Sequence, residues 1–339
     1  MDSDEADRDE NAGANRENRD SGVGDIAIAS KDEKVTLSSL PHEAGLAEPS
    51  ATLFTHECSF IALEHQIWLL TLEGKLYLSP IDQVYNVLDI CTGTGLWAIS
   101  MAHQFPGARI IGNDLSPITP PRIPENCQFE VEDVEEFPWV YSHKFDFIHA
   151  RSVFACFDNT QRVINEAVES LEDDGWLEIQ DWLVPMRCDD GSWDGTAVGP
   201  QTVRLRNPNT TICVLIDLSK IKRLVDTGAE CLQKAGRVDH TGQLPDMFRK
   251  AGLVDVKEET ILWPMNPWAK GQRNKEAGLL WMELNKEGLE SMTLALLTRY
   301  GDMSKDEAME LITMARVDLR DTKIHAYLPA TIVMGRKAP

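Results

Sequence analysis

A chain of 339 residues with 42% hydrophobic content is long enough for one large α/β domain with insertions. Its formal net charge of −22 argues against a surface for DNA or RNA, which needs Lys and Arg to neutralise phosphates, and against binding to an anionic membrane. With no run of about 18 apolar residues, no basic-then-apolar leader and no C-x-x-C pair among seven scattered cysteines, a reduced cytoplasmic protein is expected.

Residues 1–49 read as a disordered acidic tail. Up to Val35 there are 11 acids against 5 bases and no aromatic residue, too little apolar surface to offset the entropy of ordering. The folded domain is expected over residues 50–339. It opens with a helix over Phe60–Leu72, with Phe60, Leu63, Ile67 and Leu70 on one face. Strand and helix patterns then alternate: a strand to Ile90, a helix to Phe105, a strand from Arg109 to Asp114, and a short strand from Cys127 to Val131. A strand over Phe145–Ala150, a helix over Thr160–Leu171, a turn at Asp173-Asp174-Gly175 and a strand over Trp176–Gln180 follow. Such alternation predicts a mostly parallel sheet covered on both faces.

Beyond Asp181 a Gly- and Asp-rich loop runs from Met186 to Gln201, then a helical stretch from Leu215 to Ala235. A helix–strand unit is predicted over Leu244–Ala251 and Val254–Leu262, helices from Asn266 to about Leu319, and a last strand near Ala326–Met334.

The stretch Val87–Ala98, VLDICTGTGLWA, carries the chemistry. An aliphatic strand ends in Asp89, a Gly-Thr-Gly turn follows at Gly93 and Gly95, and a helix pattern starts at Leu96. Glycines let a ligand approach the backbone, and the free N–H groups of a helix start favour an anionic group. The spacing also fits the dinucleotide fingerprint G-x-G-x-x-A, but Asp89 stands where a pyrophosphate would lie. Two like charges that close repel by several kcal/mol at an effective dielectric of about 20. S-adenosylmethionine, with its ammonium and sulfonium, suits that acid, and its carboxylate suits the helix start. Any side chain at Gly95 is expected to take space this cofactor needs.

Two more strand ends carry acids. Asp114, 19 residues past Gly95, is placed to hold ribose hydroxyls. Asp133, with the following N–H of Val134, suits an adenine amino group and ring nitrogen. Three acids at successive strand–helix junctions are far more specific than any one of them.

VLDICTGTG, IIGNDLSP, FDFIHARS and GWLEIQD resemble class I S-adenosylmethionine-dependent methyltransferases. The segments HQIWLLTLEGKLYLSPI, LPDMFRKAGLVDV, WPMNPWAKGQRNKEAGLLW and IHAYLPATIVMGRKAP are similar to fungal LaeA-like methyltransferases. The resemblance covers about Phe54 to Pro339 and implies a Rossmann-like seven-stranded sheet with helices on both faces. It also implies a terminal hairpin, with helical lid insertions at about 185–240 and 266–320. The family usually has Gly where this chain has Cys91, so a slightly tighter cofactor fit is expected there.

Methyl transfer from a sulfonium needs alignment and water exclusion more than a dedicated base. His149 is the candidate catalytic residue, at the end of the fourth strand, while Arg151, Trp182 and His65 are candidates for the substrate pocket. Trp193, Trp263 and Trp268 would line an aromatic pocket or pack in the core. The eight histidines show no ligand spacing, so no metal is expected. Together these readings point to O- or N-methylation of a small molecule in fungal secondary metabolism. Two alternatives stay open: a LaeA-type nuclear regulator with a protein partner, and a methyltransferase fold reused for a rearrangement.

Overall fold

The computed structural model describes residues 56–117, 120, 122–153, 156–194, 219–237 and 240–339. The acidic tail and the start of the helix expected from Leu215 lie outside the described residues. Strands β1 (Asn86–Ile90), β2 (Arg109–Asp114), β3 (Cys127–Val131), β4 (Phe145–Arg151) and β5 (Leu171–Trp182) run parallel. Strands β6 (Leu253–Pro264) and β7 (Tyr327–Lys337) form an antiparallel hairpin, and β7 lies between β5 and β6. The sheet order is β3-β2-β1-β4-β5-β7-β6, the Rossmann-like seven-stranded arrangement expected from the resemblance.

The pleat explains how one strand feeds two cores. Successive side chains point to opposite faces, so Val87 joins Ile110, Phe147 and Trp176 in one cluster, and Leu88 joins Ile111, Ile148 and Leu177 in the other. The second cluster is closed by α3 (Thr160–Ser170) and α5 (Leu244–Lys250), through Val163, Ile164, Ala167 and Phe248. Asn159 caps α3 by accepting a hydrogen bond from the Arg162 N–H, a contact worth about 1 kcal/mol. The first cluster is closed by α1 (His56–Thr71), α2 (Leu96–Gln104), α4 (Lys220–Lys234), α6 (Gln272–Tyr300) and α7 (Lys305–Asp318).

Two elements differ from the sequence-based expectation. Helix α1 is not one-sided: from Phe60 to Thr71 only Gln66 is exposed, because α6 packs across it. Strand β5 starts at Leu171, the expected end of a helix, and takes in the turn expected at Asp173-Asp174-Gly175. Leu171 pairs with Phe145 and Trp176 with Phe147, so residues 172–175 bulge out of the ladder. Gly175 is needed there, since a Cβ would sit 2.9 Å from the Glu172 carbonyl oxygen. The tryptophans Trp193, Trp263 and Trp268 are buried in the core.

Candidate active site

On the face toward α1 the strand register aligns Asp89, His149 and Glu178 as neighbours across β1, β4 and β5. Arg151 and Gln180 form the next row. The His149 Nδ1–H donates to Asp89 Oδ1 at 2.7 Å, and Thr92 Oγ1 donates to Asp89 Oδ2 at 2.6 Å. Trp97 stacks on the His149 ring, with centroids 3.7 Å apart. His149 is 0% exposed, and burial lowers its pKa against the opposing pull of Asp89. Its ring stands behind Asp89 and is absent from the cavity wall described below. The expected catalytic contact through His149 is therefore not what the geometry offers: His149 orients Asp89.

Helix α1 adds Glu64 and His65. Ser152 Oγ and Trp68 Nε1 donate to Glu64, and Arg151 donates to His65 Nδ1 at 3.0 Å. A guanidinium only donates, so His65 Nδ1 is the lone-pair nitrogen and Nε2 carries the proton. Burial, followed by repulsion from Arg151, lowers the His65 pKa from 6.5 to about 3. Burial also brings Arg151 down to about 10 and pushes Glu64 up.

A pH dependence follows. Below 6.5 the unfolded chain binds a proton at His65 that the native state refuses down to about 3. Its stabilising contribution is whole above the unfolded pKa and is lost as pH falls through that window. From about pH 7.5 to about pH 5.5 this loss is roughly 1.4 kcal/mol. His149 adds to it with the same sign, while Glu64, with its raised pKa, opposes it where it keeps a proton that the unfolded chain has released. Urea titrations at the two pH values are expected to show the loss, and His65→Gln to reduce it. An unchanged slope in that variant would show that His65 titrates normally.

The β1–α2 loop comes next. Asp114 Oδ2 accepts from the Gly93 N–H at 2.9 Å, and Oδ1 from the Ser116 N–H at 3.0 Å. Cys91 has φ 56, a left-handed conformation that a side chain resists, which accounts for the Gly usual at this place in the resembling family. Burial, then neighbouring groups including Asp114 and Asp89, push its thiol pKa up. Gly95 has φ 76 and caps α2, and a Cβ there would lie 2.4 Å from Phe129 Cζ. The space behind Gly95 thus belongs to Phe129, not to the cofactor as expected. Gly95→Ala is expected to destabilise the fold by roughly 2–4 kcal/mol, from overpacking and backbone strain together. Adding Phe129→Ala should recover part of that in a denaturant titration. A Gly95→Ala protein of parental stability would restore the cofactor explanation.

These groups converge on a cavity of about 830 Å³, within the range of roughly 300–1,000 Å³ seen for small-molecule sites. Of the residues singled out from sequence, His65, Asp89, Cys91, Gly93, Asp114, Arg151 and Trp182 line it. Gly95, Asp133, Val134 and His149 do not. Asp133 is exposed and accepts from the Glu135 N–H in a tight turn, while Val134 is buried in the second core cluster. Their expected adenine contact is not part of the cavity wall. Sequence reasoning missed Glu64, Thr92 and Thr94 on that wall. An acid inside the apolar α1 pattern was the available signal for Glu64.

The model for the methyltransferase domain family matches residues 63–257, more than half of the chain. This chain belongs to that family. It is an S-adenosylmethionine-dependent methyltransferase. "Probable methyltransferase tdiE" of Emericella nidulans is 33% identical over 285 residues, covering 83% of this chain and 82% of that protein. "Methyltransferase pytC" of Aspergillus terreus is 31% identical over 276 residues, covering 80% and 78%. "Secondary metabolism regulator LAE1" of Cochliobolus heterostrophus is 28% identical over 273 residues, covering 78% and 81%. Among solved structures, Haemonchus contortus phosphoethanolamine N-methyltransferase 2 with S-adenosyl-L-methionine aligns at 16% identity and a TM-score of 0.44, over 85% of this chain and 59% of that one.

The residues present fit the methyl donor. Asp114 keeps lone pairs for hydroxyls beyond its two backbone bonds, and Asp89 presents a carboxylate fixed from behind by His149. Thr94 Oγ1 is buried on the cavity wall with no hydrogen-bond partner among the described residues, a polar atom left over for a ligand. No helix among the described residues is long and apolar enough to cross a membrane.

Proposed function

We propose that this methyltransferase modifies a small-molecule intermediate of fungal secondary metabolism, on oxygen or nitrogen, in the cytoplasm. The observation that carries the reading is one cavity with an acid-lined end at the β1 and β2 termini and an apolar end beneath α4 and α6. A donor and an acceptor molecule share that space. Asp114 holds ribose hydroxyls, Asp89 faces the cofactor's cationic part, and the loop at Gly93 admits close approach. S-adenosylmethionine supplies an activated methyl group. The chain's own residues align the two molecules and exclude water, which proximity alone makes effective. The His65 Nδ1 lone pair is occupied by Arg151, so His65 is not a base, and the reading favours an acceptor that needs no base.

The tdiE and pytC methyltransferases match at 31–33% identity, above the 24–28% of the LAE1 and laeA proteins, and this favours tailoring over regulation. Calorimetry is expected to show binding of S-adenosylmethionine or its demethylated product and none of NAD. In the source fungus, Asp114→Ala is expected to accumulate the unmethylated intermediate of one pathway with the remaining metabolites intact. A joint fall of several unrelated products with their cluster transcripts would favour a nuclear regulator with a protein partner. Normal product from a variant shown not to bind cofactor would rule out both.

A further inference from the structure

The two ends of the cavity differ in chemistry. Among the described residues its charged wall residues are Glu64, Asp89, Asp114 and Arg151, all on α1 or at the ends of β1, β2 and β4. Helix α4 carries Lys220, Lys222, Arg223, Asp226, Glu230 and Lys234, yet none of them lines the cavity. It turns Ile221, Leu224 and Val225 inward instead, opposite Leu289, Met292 and Leu296 of α6. A phosphate, carboxylate or ammonium placed there would lose its water and find no opposite charge among the described residues, which buried ions do not tolerate.

What polarity this end has is neutral. Trp281 Nε1 is buried on the wall with no partner among the described residues, a donor without an acceptor. One helical turn on, Asn285 Nδ2 donates to the Trp281 carbonyl at 2.8 Å, and no hydrogen bond to Asn285 Oδ1 is seen among the described residues. Gly228 sits inside α4, where glycine weakens a helix. No packing among the described residues demands it, since a Cβ there would meet no atom within 4 Å. Gly228 lines the cavity and keeps volume open.

We propose that the α4–α6 end of the cavity is the acceptor subsite, that it takes an uncharged, mostly apolar ring system whose neutral polar group is read by Trp281 and Asn285, and that Gly228 sets the size it admits. The proposal rests on the methyl-transfer reading only for where the acceptor lies relative to the cofactor.

Nile red, an uncharged polycyclic probe, tests it on the full chain by fluorescence titration, with and without S-adenosylhomocysteine. Saturable one-to-one binding is expected. Gly228→Phe should weaken it at least ten-fold while S-adenosylhomocysteine affinity by calorimetry stays within two-fold. If that variant has a lowered thermal midpoint, Val225→Asp, which puts a charge in the same wall, should weaken the probe to a similar extent. Unchanged Nile red affinity in a folded Gly228→Phe protein overturns the proposal. Binding that appears only after removal of residues 1–49 also overturns it, because the chain itself would then fill the site. So does methyl transfer to phosphoethanolamine or glycine with none to 1-naphthylamine. Failure of S-adenosylhomocysteine to bind would overturn the cofactor reading instead, and the cofactor-free Nile red titration would still decide this one.

Discussion

Asp114→Ala is expected to weaken S-adenosylmethionine binding by ten-fold or more in calorimetry. The side chain closes β2, lines the cavity and is locked in place by the Gly93 and Ser116 amides. Hydrogen bonds to a charged group are worth roughly 1.5–3 kcal/mol each, and about 1.4 kcal/mol is a factor of ten in affinity. Losing a single ribose contact thus meets the expectation. Alanine also frees the Gly93 N–H and lets the loop shift, so part of its loss comes from the loop. Asp114→Asn separates the two effects, because it keeps the shape and one acceptor oxygen while removing the charge. Its affinity should fall between those of the parent and the alanine variant. Both variants should keep a thermal midpoint within a few degrees of the parent, since Asp114 is outside both core clusters. A dissociation constant unchanged in both would show that the end of β2 does not hold the cofactor.

The elements that announce themselves in this sequence are those whose pattern is local. Strand β1 ends at Ile90 and β2 runs from Arg109 to Asp114, as the aliphatic runs and their terminal acids require. Asp89, Gly93 and Asp114 reach one cavity because parallel pairing aligns the strand ends. What was not legible depends on distant partners. Nothing near Gly95 in the chain reveals that Phe129, 34 positions on, fills the space behind it. His149 looks like a catalytic histidine from its position past a run of aliphatics. The register sets it beside Asp89 and the ring of Trp97 covers it, which turns a candidate proton carrier into a support. Asp133 follows the same strand-end rule as Asp114, yet the chain turns there and spends its carboxylate on the Glu135 amide. Trp281 belongs to a helix that follows β6, and only tertiary packing of α6 over α1 brings it to the cavity.

Glu178 is the largest single omission, and its removal is expected to have the largest effect on stability. It lies mid-strand in β5, between Leu177 and Ile179, and is 0% exposed. Its carboxylate accepts from the Leu78 N–H at 3.0 Å, the Ser79 N–H at 2.7 Å, Ser79 Oγ at 2.6 Å and Gln180 Nε2 at 2.8 Å. The segment it clamps joins α1 to β1, and the Leu76 carbonyl in that segment accepts from both Trp97 Nε1 and Gln180 Nε2 at 2.9 Å. In Glu178→Ala several buried donors lose their acceptor together. Each unsatisfied group costs about 1–3 kcal/mol, and breaking a buried charged network by removing one partner costs roughly 3–5 kcal/mol in all. At about 2–4 °C per kcal/mol for a domain of this size, the thermal midpoint should fall on the order of 10 °C. Glu178→Gln keeps the volume and one acceptor oxygen, so it should lose less, and Ser79→Ala, which removes one bond of the set, less again. The site should feel the change too. The clamp holds the connection that seats Glu64 and His65 over the cavity, so S-adenosylhomocysteine affinity should fall with stability in the Glu178 variants and hold in Ser79→Ala. A Glu178→Ala protein as stable as the parent would mean that the 76–79 segment docks through its apolar side chains alone, and the polar row on the sheet would then be a consequence of the site rather than its support.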